Sequence, residues 1–187
     1  VEKNLSVARA WFKKSAENGF DWGQYNLGDC YYSGSGVFQN YKEAVKWFRK
    51  AAEQNNTSAQ NQLGHCYDNG YGVEEDAVKA AEWYYKSAKN GDAEGQYMLG
   101  LCFAYANGVC EDREAARKCF QMSAEQGYEA AEKKLKEIDE SCFITTAVCG
   151  SFAKPDNCYE LTTFRRFRDT WLAKQEDGEE LIAEYYR

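Results

Sequence analysis

Residues 21–56 read DWGQYNLGDCYYSGSGVFQNYKEAVKWFRKAAEQNN, and this stretch returns twice, at 57–92 and at 93–128. The period is 36 residues with no insertion. In register, Leu27-Gly28 falls on Leu63-Gly64 and Leu99-Gly100, and Cys30 falls on Cys66 and Cys102. Tyr31 falls on Tyr67 and Phe103, and Gly36 on Gly72 and Gly108. Ala44 and Phe48 fall on Ala80 and Tyr84, then on Ala116 and Phe120. A fixed period of this length marks stacked supersecondary units, none of which can bury its apolar face alone.

Within a copy the apolar spacing is helical. Tyr25, Leu27, Cys30 and Tyr31 follow steps of three and four, as do Ala44, Trp47, Phe48, Ala51 and Ala52. Each copy is therefore a helix pair, A then B, joined by a glycine-rich turn such as Ser33-Gly34-Ser35-Gly36-Val37. Gly28 sits inside helix A, where glycine costs about 1 kcal/mol relative to alanine. Its return as Gly64 and Gly100 points to close packing of the paired helix. Helix B starts at Asn40, Asp76 or Asp112, all good N-caps, and Asn40 with Glu43 has capping-box spacing. It stops at Asn18-Gly19, Asn55-Asn56, Asn90-Gly91 and Gln126-Gly127, which suit a left-handed C-terminal residue. The fold expected is all-α, a solenoid of about 3.5 repeats over 1–140, with a half repeat at 1–20 and a capping helix at 129–140. Because Val1–Phe20 matches only the second half of a repeat, the chain is expected to be a piece of a longer one.

The L-G-x-x-Y/F, G-x-G-V and A-x-x-W-F/Y columns resemble the Sel-one-like repeat, a relative of the tetratricopeptide repeat. The resemblance implies a right-handed superhelix whose A helices line a concave face, and a scaffold for protein complexes without catalysis of its own. The tail, 141–187, resembles the C-terminal domain called the CFI box. The matching residues are Cys142–Ala147, Leu161–Asp169 and Tyr185–Tyr186, with Thr145 and Cys149 departing from the pattern. That tail reads as a small, mainly helical domain.

The net charge is −7, and both parts share it: 141–187 holds 6 Lys/Arg against 8 Asp/Glu. No basic stripe crosses the helices, which argues against nucleic acid. No stretch is long and apolar enough to span a membrane. Eight cysteines without paired spacing lean slightly toward a reducing cytoplasm.

The variable columns of helix A are where a partner would touch. They are Tyr25, Asp29 and Tyr32 in the first copy, Asn61, His65 and Asp68 in the second, and Tyr97, Leu101 and Tyr105 in the third. They step by three and four and so share a face, which suits an extended peptide or a partner helix. Replacing Tyr25, Tyr32 and Tyr97 together by alanine is expected to abolish partner capture with little loss of melting temperature. His65, with Asp68 three residues on, could be an oriented base, but no nucleophile is placed beside it by local spacing.

Cys30, Cys66 and Cys102 read as buried thiols that do not pair. Cys119 takes the column of Trp47 and Trp83, a loss of volume expected to be filled by Cys142, Phe143 and Ile144. The leading reading is a non-enzymatic interaction module, monomeric as this piece, with no cofactor and no metal, that binds a protein or peptide. Two alternatives stand beside it. One is a thiol-based redox or metal site among Cys110, Cys119, Cys142, Cys149 and Cys158. The other is a purely structural end-cap of a longer solenoid.

Overall fold

The computed structural model describes residues 5–138, and the helix stack forms a compact unit that runs to Lys136. The helices are α1 (Leu5–Glu17), α2 (Asp21–Ser33), α3 (Tyr41–Glu53), α4 (Thr57–Asn69), α5 (Ala77–Lys89), α6 (Ala93–Tyr105) and α7 (Arg113–Glu125). An eighth, α8, covers 129–138. The described residues form no strand. Each helix packs on its neighbours in sequence, so A helices (α2, α4, α6) and B helices (α1, α3, α5, α7) form two layers. The A helices α4 and α6 also approach each other, and no pair of B helices comes as close. The A layer is thus the inner one. The tail resemblance at 141–187, with Cys142, Phe143 and Ile144, lies outside the described residues.

The ends of the helices follow the sequence signals. Asn40, Asp76 and Asp112 cap α3, α5 and α7, each side chain accepting from the backbone N–H three residues on. Glu43 does not close a capping box, because its carboxylate takes the ammonium of Lys46 at 2.5 Å instead. Gly19, Gly91 and Gly127 end their B helices at positive φ, and in the first full repeat Asn55 does so at φ 66°.

Two glycine columns explain the stacking. Gly28, Gly64 and Gly100 lie against the fully buried rings of Phe48, Tyr84 and Phe120. A Cβ at Gly28 or Gly100 would lie 2.7 Å from the facing ring. Helix B therefore sits close enough to bury its aromatic side chain, a gain of about 2 kcal/mol or more for each ring. Gly72 has φ +73° and its Cα rests on the backbone of Tyr41 and Lys42. Gly36 rests likewise on Leu5 and Gly108 on Ala77. This turn glycine seats each repeat on the first turn of the preceding helix B.

A polar column also runs through the stack. Gln24, Gln60 and Gln96 are buried in the A helices. Gln60 Nε2 donates to Ala52 O at 3.1 Å, while its Oε1 accepts from Asn90 Nδ2 at 3.2 Å. Gln54 donates to Gln24 Oε1, and Gln126 to Gln96 Oε1, both at 2.8 Å. Gln60 thus links the end of one helix B to the end of the next through the intervening helix A.

The tryptophan column differs from expectation. Trp47 and Trp83 are only half-buried, and the ammonium groups of Lys50 and Lys86 lie 4.3 and 3.7 Å from their ring centroids. A half-exposed ring under a lysine leaves no sealed hole when cysteine replaces it. Cys119 is half-buried, and the lysine position has become Met122, half-exposed on the same helix. The cavity argument for docking the tail there does not hold.

Candidate interaction face on the A helices

The nine residues expected on the inner face divide by what they touch. Tyr32 and His65 come together across α2 and α4. The Tyr32 hydroxyl and His65 Nδ1 share a hydrogen bond at 3.4 Å. Two further tyrosines close the group. Tyr41, from the start of α3, stacks on Tyr71, from the turn after α4, with centroids 4.9 Å apart and planes at 17°. Tyr32 meets them edge-on at 5.2 and 6.0 Å. All four side chains are half-buried, so part of the group stays open to solvent. The sequence reading missed Tyr41 and Tyr71. They flank helices rather than lie on the repeating stripe, and only the seating of Gly72 on Tyr41 brings the two rings together.

The other expected residues are more committed to the stack. Tyr25 packs on Phe48 with centroids 5.9 Å apart and meets Trp22 edge-on at 5.7 Å. Tyr97 packs on Phe120 at 5.6 Å and Tyr128 at 5.2 Å. Replacing these rings by alanine removes core contacts, so the expectation of an unchanged melting temperature does not stand. Asn61 is 4% exposed, and its Nδ2 donates to Asp92 Oδ2 at 2.7 Å and Glu94 Oε2 at 3.3 Å. Its Oδ1 is buried with no partner. Asp68 accepts from Asn107 Nδ2 at 2.8 Å. His65 therefore turns to Tyr32 and Asp68 to the next repeat, and the pair does not form an oriented base. Leu101 is half-buried. Tyr105 is exposed, with Lys134 Nζ donating to its hydroxyl at 3.4 Å.

Charge is sorted between the layers. The A helices carry Asp21, Asp29, Asp68 and Glu94 and neither lysine nor arginine. Each B helix carries at least three lysines or arginines. The Asp29 carboxyl faces solvent, yet crowding on the inner face removes enough water to raise its pKa. Burial, then the charges of Asp29 and Glu94, push the Tyr25 phenol up. Burial does the same for Tyr32, aided by the neighbouring thiol and phenols and by Asp29. At neutral pH the Tyr25 and Tyr32 phenols are therefore uncharged.

The thiols of the stack are sheltered. Cys30, Cys66 and Cys102 are buried and free. Burial pushes the Cys66 thiol up to about 12 and the Cys102 thiol up to about 11. Cys119 is raised by burial and by Asp112, whereas Cys110 is exposed. Among the described residues no group of three or more His, Cys, Asp or Glu side chains could hold a metal ion, and no helix is long and apolar enough to cross a membrane.

The Sel1 repeat model matches residues 1–20, 23–56, 57–92 and 93–128. The chain belongs to the Sel1 repeat family. Similar solved structures include a Sel1 repeat protein from Oxalobacter formigenes, 39% identical with a TM-score of 0.68 over 73% of this chain and 56% of that one. The protective antigen c5321 of uropathogenic Escherichia coli, described as having an SLR fold, is 34% identical with a TM-score of 0.69. That match covers all of this chain and 38% of the antigen. Helicobacter pylori cysteine rich protein B is 30% identical with a TM-score of 0.58, over 72% of this chain and 97% of that one. This Sel1 repeat chain spans less than two thirds of the first two. A search of curated protein sequences gave no significant match. Sel1 repeats generally mediate protein–protein contacts, and the family's fold is typically a non-catalytic scaffold.

Proposed function

We propose that this chain is a non-enzymatic interaction module that takes a protein or peptide partner on the inner face of its A helices. The observation that carries the reading is the half-open group of Tyr32, Tyr41, His65 and Tyr71 at the joint of two repeats. Aromatic side chains that keep one side solvated at a rigid joint are the residue type that dominates binding at protein interfaces. Nothing about the group suits chemistry: its hydrogen bond is shared between a phenol and an imidazole, and the thiol beside it, Cys66, is buried and pushed well above its ordinary pKa. On the B layer, Trp47 and Trp83 lie under their own lysines, whereas Trp11 of α1 is exposed.

The test is site-directed photo-crosslinking in cells that make the full-length protein. A photoreactive phenylalanine at Asp29 or Asp68 reports on the inner face, and one at Lys46 or Glu82 reports on the outer helices. Discrete adducts from the inner positions alone are expected. Adducts from the outer positions alone would overturn the reading.

A further inference from the structure

Asp29, Tyr32, His65 and Asp68 occupy the corners of one square, two on α2 and two on α4, since 29 aligns with 65 and 32 with 68. One diagonal is the hydrogen bond between Tyr32 and His65. The two carboxylates stand on either side of that pair in the register, with Asp68 turned toward the next repeat. Asp29 is exposed, and Asp68 is bonded by the neutral amide of Asn107. No cation comes from the A helices, and Lys134, near Tyr105, belongs to α8 at the far end. Asn61 stands on the same stripe as His65 and Asp68, and its buried Oδ1 lacks a donor. The orientation of that amide is fixed, because its Nδ2 is held by the carboxylates of Asp92 and Glu94. The square is rich in acceptors and poor in donors.

We propose that the joint of α2 and α4 receives a basic segment of a protein partner, with cations on Asp29 and Asp68 and arginine or lysine stems across Tyr32 and Tyr71. This rests on the inner-face reading above and adds the chemistry of the partner. A guanidinium satisfies a carboxylate through paired N–H groups and stacks on a phenol ring, so arginine fits this square better than lysine. An acidic segment would meet uncompensated carboxylates, a juxtaposition that discriminates against wrong partners.

The experiment uses the full-length chain, labelled with nitrogen-15, and three short synthetic peptides in which serine alternates with arginine, lysine or glutamate. The arginine peptide is expected to move amide signals of α2 and α4, to bind more weakly as salt rises, and to bind more tightly than the lysine peptide. The double variant Asp29→Asn, Asp68→Asn is expected to weaken it about tenfold. The double variant Glu53→Gln, Glu82→Gln on the outer helices removes as much charge and should change binding by about twofold or less. Equal losses in the two double variants, or no shifts on α2 and α4, would overturn the proposal. A glutamate peptide bound on α2 and α4 in place of the arginine peptide would overturn the basic partner and leave the inner-face reading standing. Photo-adducts confined to the outer helices would end both.

Discussion

Gly64 and Tyr84 fit together only because Gly64 has no side chain: a Cβ there would lie 2.6 Å from Cε1 of a fully buried ring. The same approach joins Gly28 to Phe48 and Gly100 to Phe120. The helix accepts a poor helix former so that the paired helix can bury its largest side chain. Two effects oppose each other at Gly64→Ala. Alanine favours the helix by about 1 kcal/mol. Overpacking a closed core costs about 1–3 kcal/mol. Tyr84 is hemmed in on all sides, so the clash wins, and a net loss of up to about 2 kcal/mol is expected in urea unfolding. An unchanged or higher midpoint would show that the ring has room to move.

Ala106 offers the opposite change. Gly34 and Gly70 end α2 and α4 in the left-handed region, and Ala106 does the same after α6 at φ 54°. A side chain in that region costs about 1 kcal/mol that glycine avoids. Ala106→Gly is expected to raise stability by about 0.5–1 kcal/mol, read as a higher urea midpoint. A lower midpoint would mean that the methyl group makes contacts worth more than the strain.

Much of this was legible in the sequence because the repeat acts as its own alignment. Three aligned glycines at Gly28, Gly64 and Gly100 announced a close approach, and the facing ring could be named from its own column. A column says nothing, however, about which neighbour its side chain meets. Every helix in a stack has a repeat on each side, so a polar residue such as Asn61 reads as a face residue while its amide is turned into the joint. The Trp47 column misled for the same reason: size suggested the core, and the cover supplied by Lys50 showed only in three dimensions. The pairing of Tyr41 with Tyr71 depends on how one repeat is seated on the last, which no single copy encodes.

The thiols make the unit sensitive to alkali. Cys66 shifts from the ordinary 9.0 to about 12, and Cys102 from 9.0 to about 11, both mainly through burial. A raised pKa in the folded state means that the unfolded chain loses its proton first as pH climbs. The stabilisation is therefore complete below pH 9.0 and falls away as pH rises toward about 12. The urea midpoint is expected to drop over that window, and by less in the double variant Cys66→Ala, Cys102→Ala. In the native chain at neutral pH, exposed Cys110 should react with a disulfide reagent well before Cys30, Cys66 and Cys102. Equal rates would mean that the stack opens readily.

Tyr32 separates binding from folding more cleanly than Tyr25 or Tyr97. Tyr32→Phe keeps the ring against Tyr41 and Tyr71 and removes only the long hydrogen bond to His65. Its cost is expected at about 0.5 kcal/mol. Tyr25→Ala takes a ring from Phe48, and Tyr97→Ala takes one from Phe120, each expected to cost about 2–4 kcal/mol. Thermal melts of the three variants give the order. If Tyr25→Ala melts with the native chain, its ring is a free face residue after all.

Gln60 is the sharper test of the polar column, because its amide serves two neighbours at once. It donates to Ala52 O and accepts from Asn90 Nδ2. Leucine at this position would keep the volume but remove the side-chain donor to Ala52 O, which keeps the backbone N–H of Asn55, and the Asn90 amide would have to find water. Losing these two hydrogen bonds costs about 0.5–1.5 kcal/mol each, whereas the added apolar burial returns about 1 kcal/mol. Gln60→Leu is therefore expected to lower stability by up to about 2 kcal/mol. Its effect should be smaller in the background of Asn90→Ala, where one partner is already gone, and the double-mutant cycle measures that coupling. Additive losses would show that Gln60 and Asn90 act separately, and the column would then be three local hydrogen bonds instead of a link from one helix B to the next.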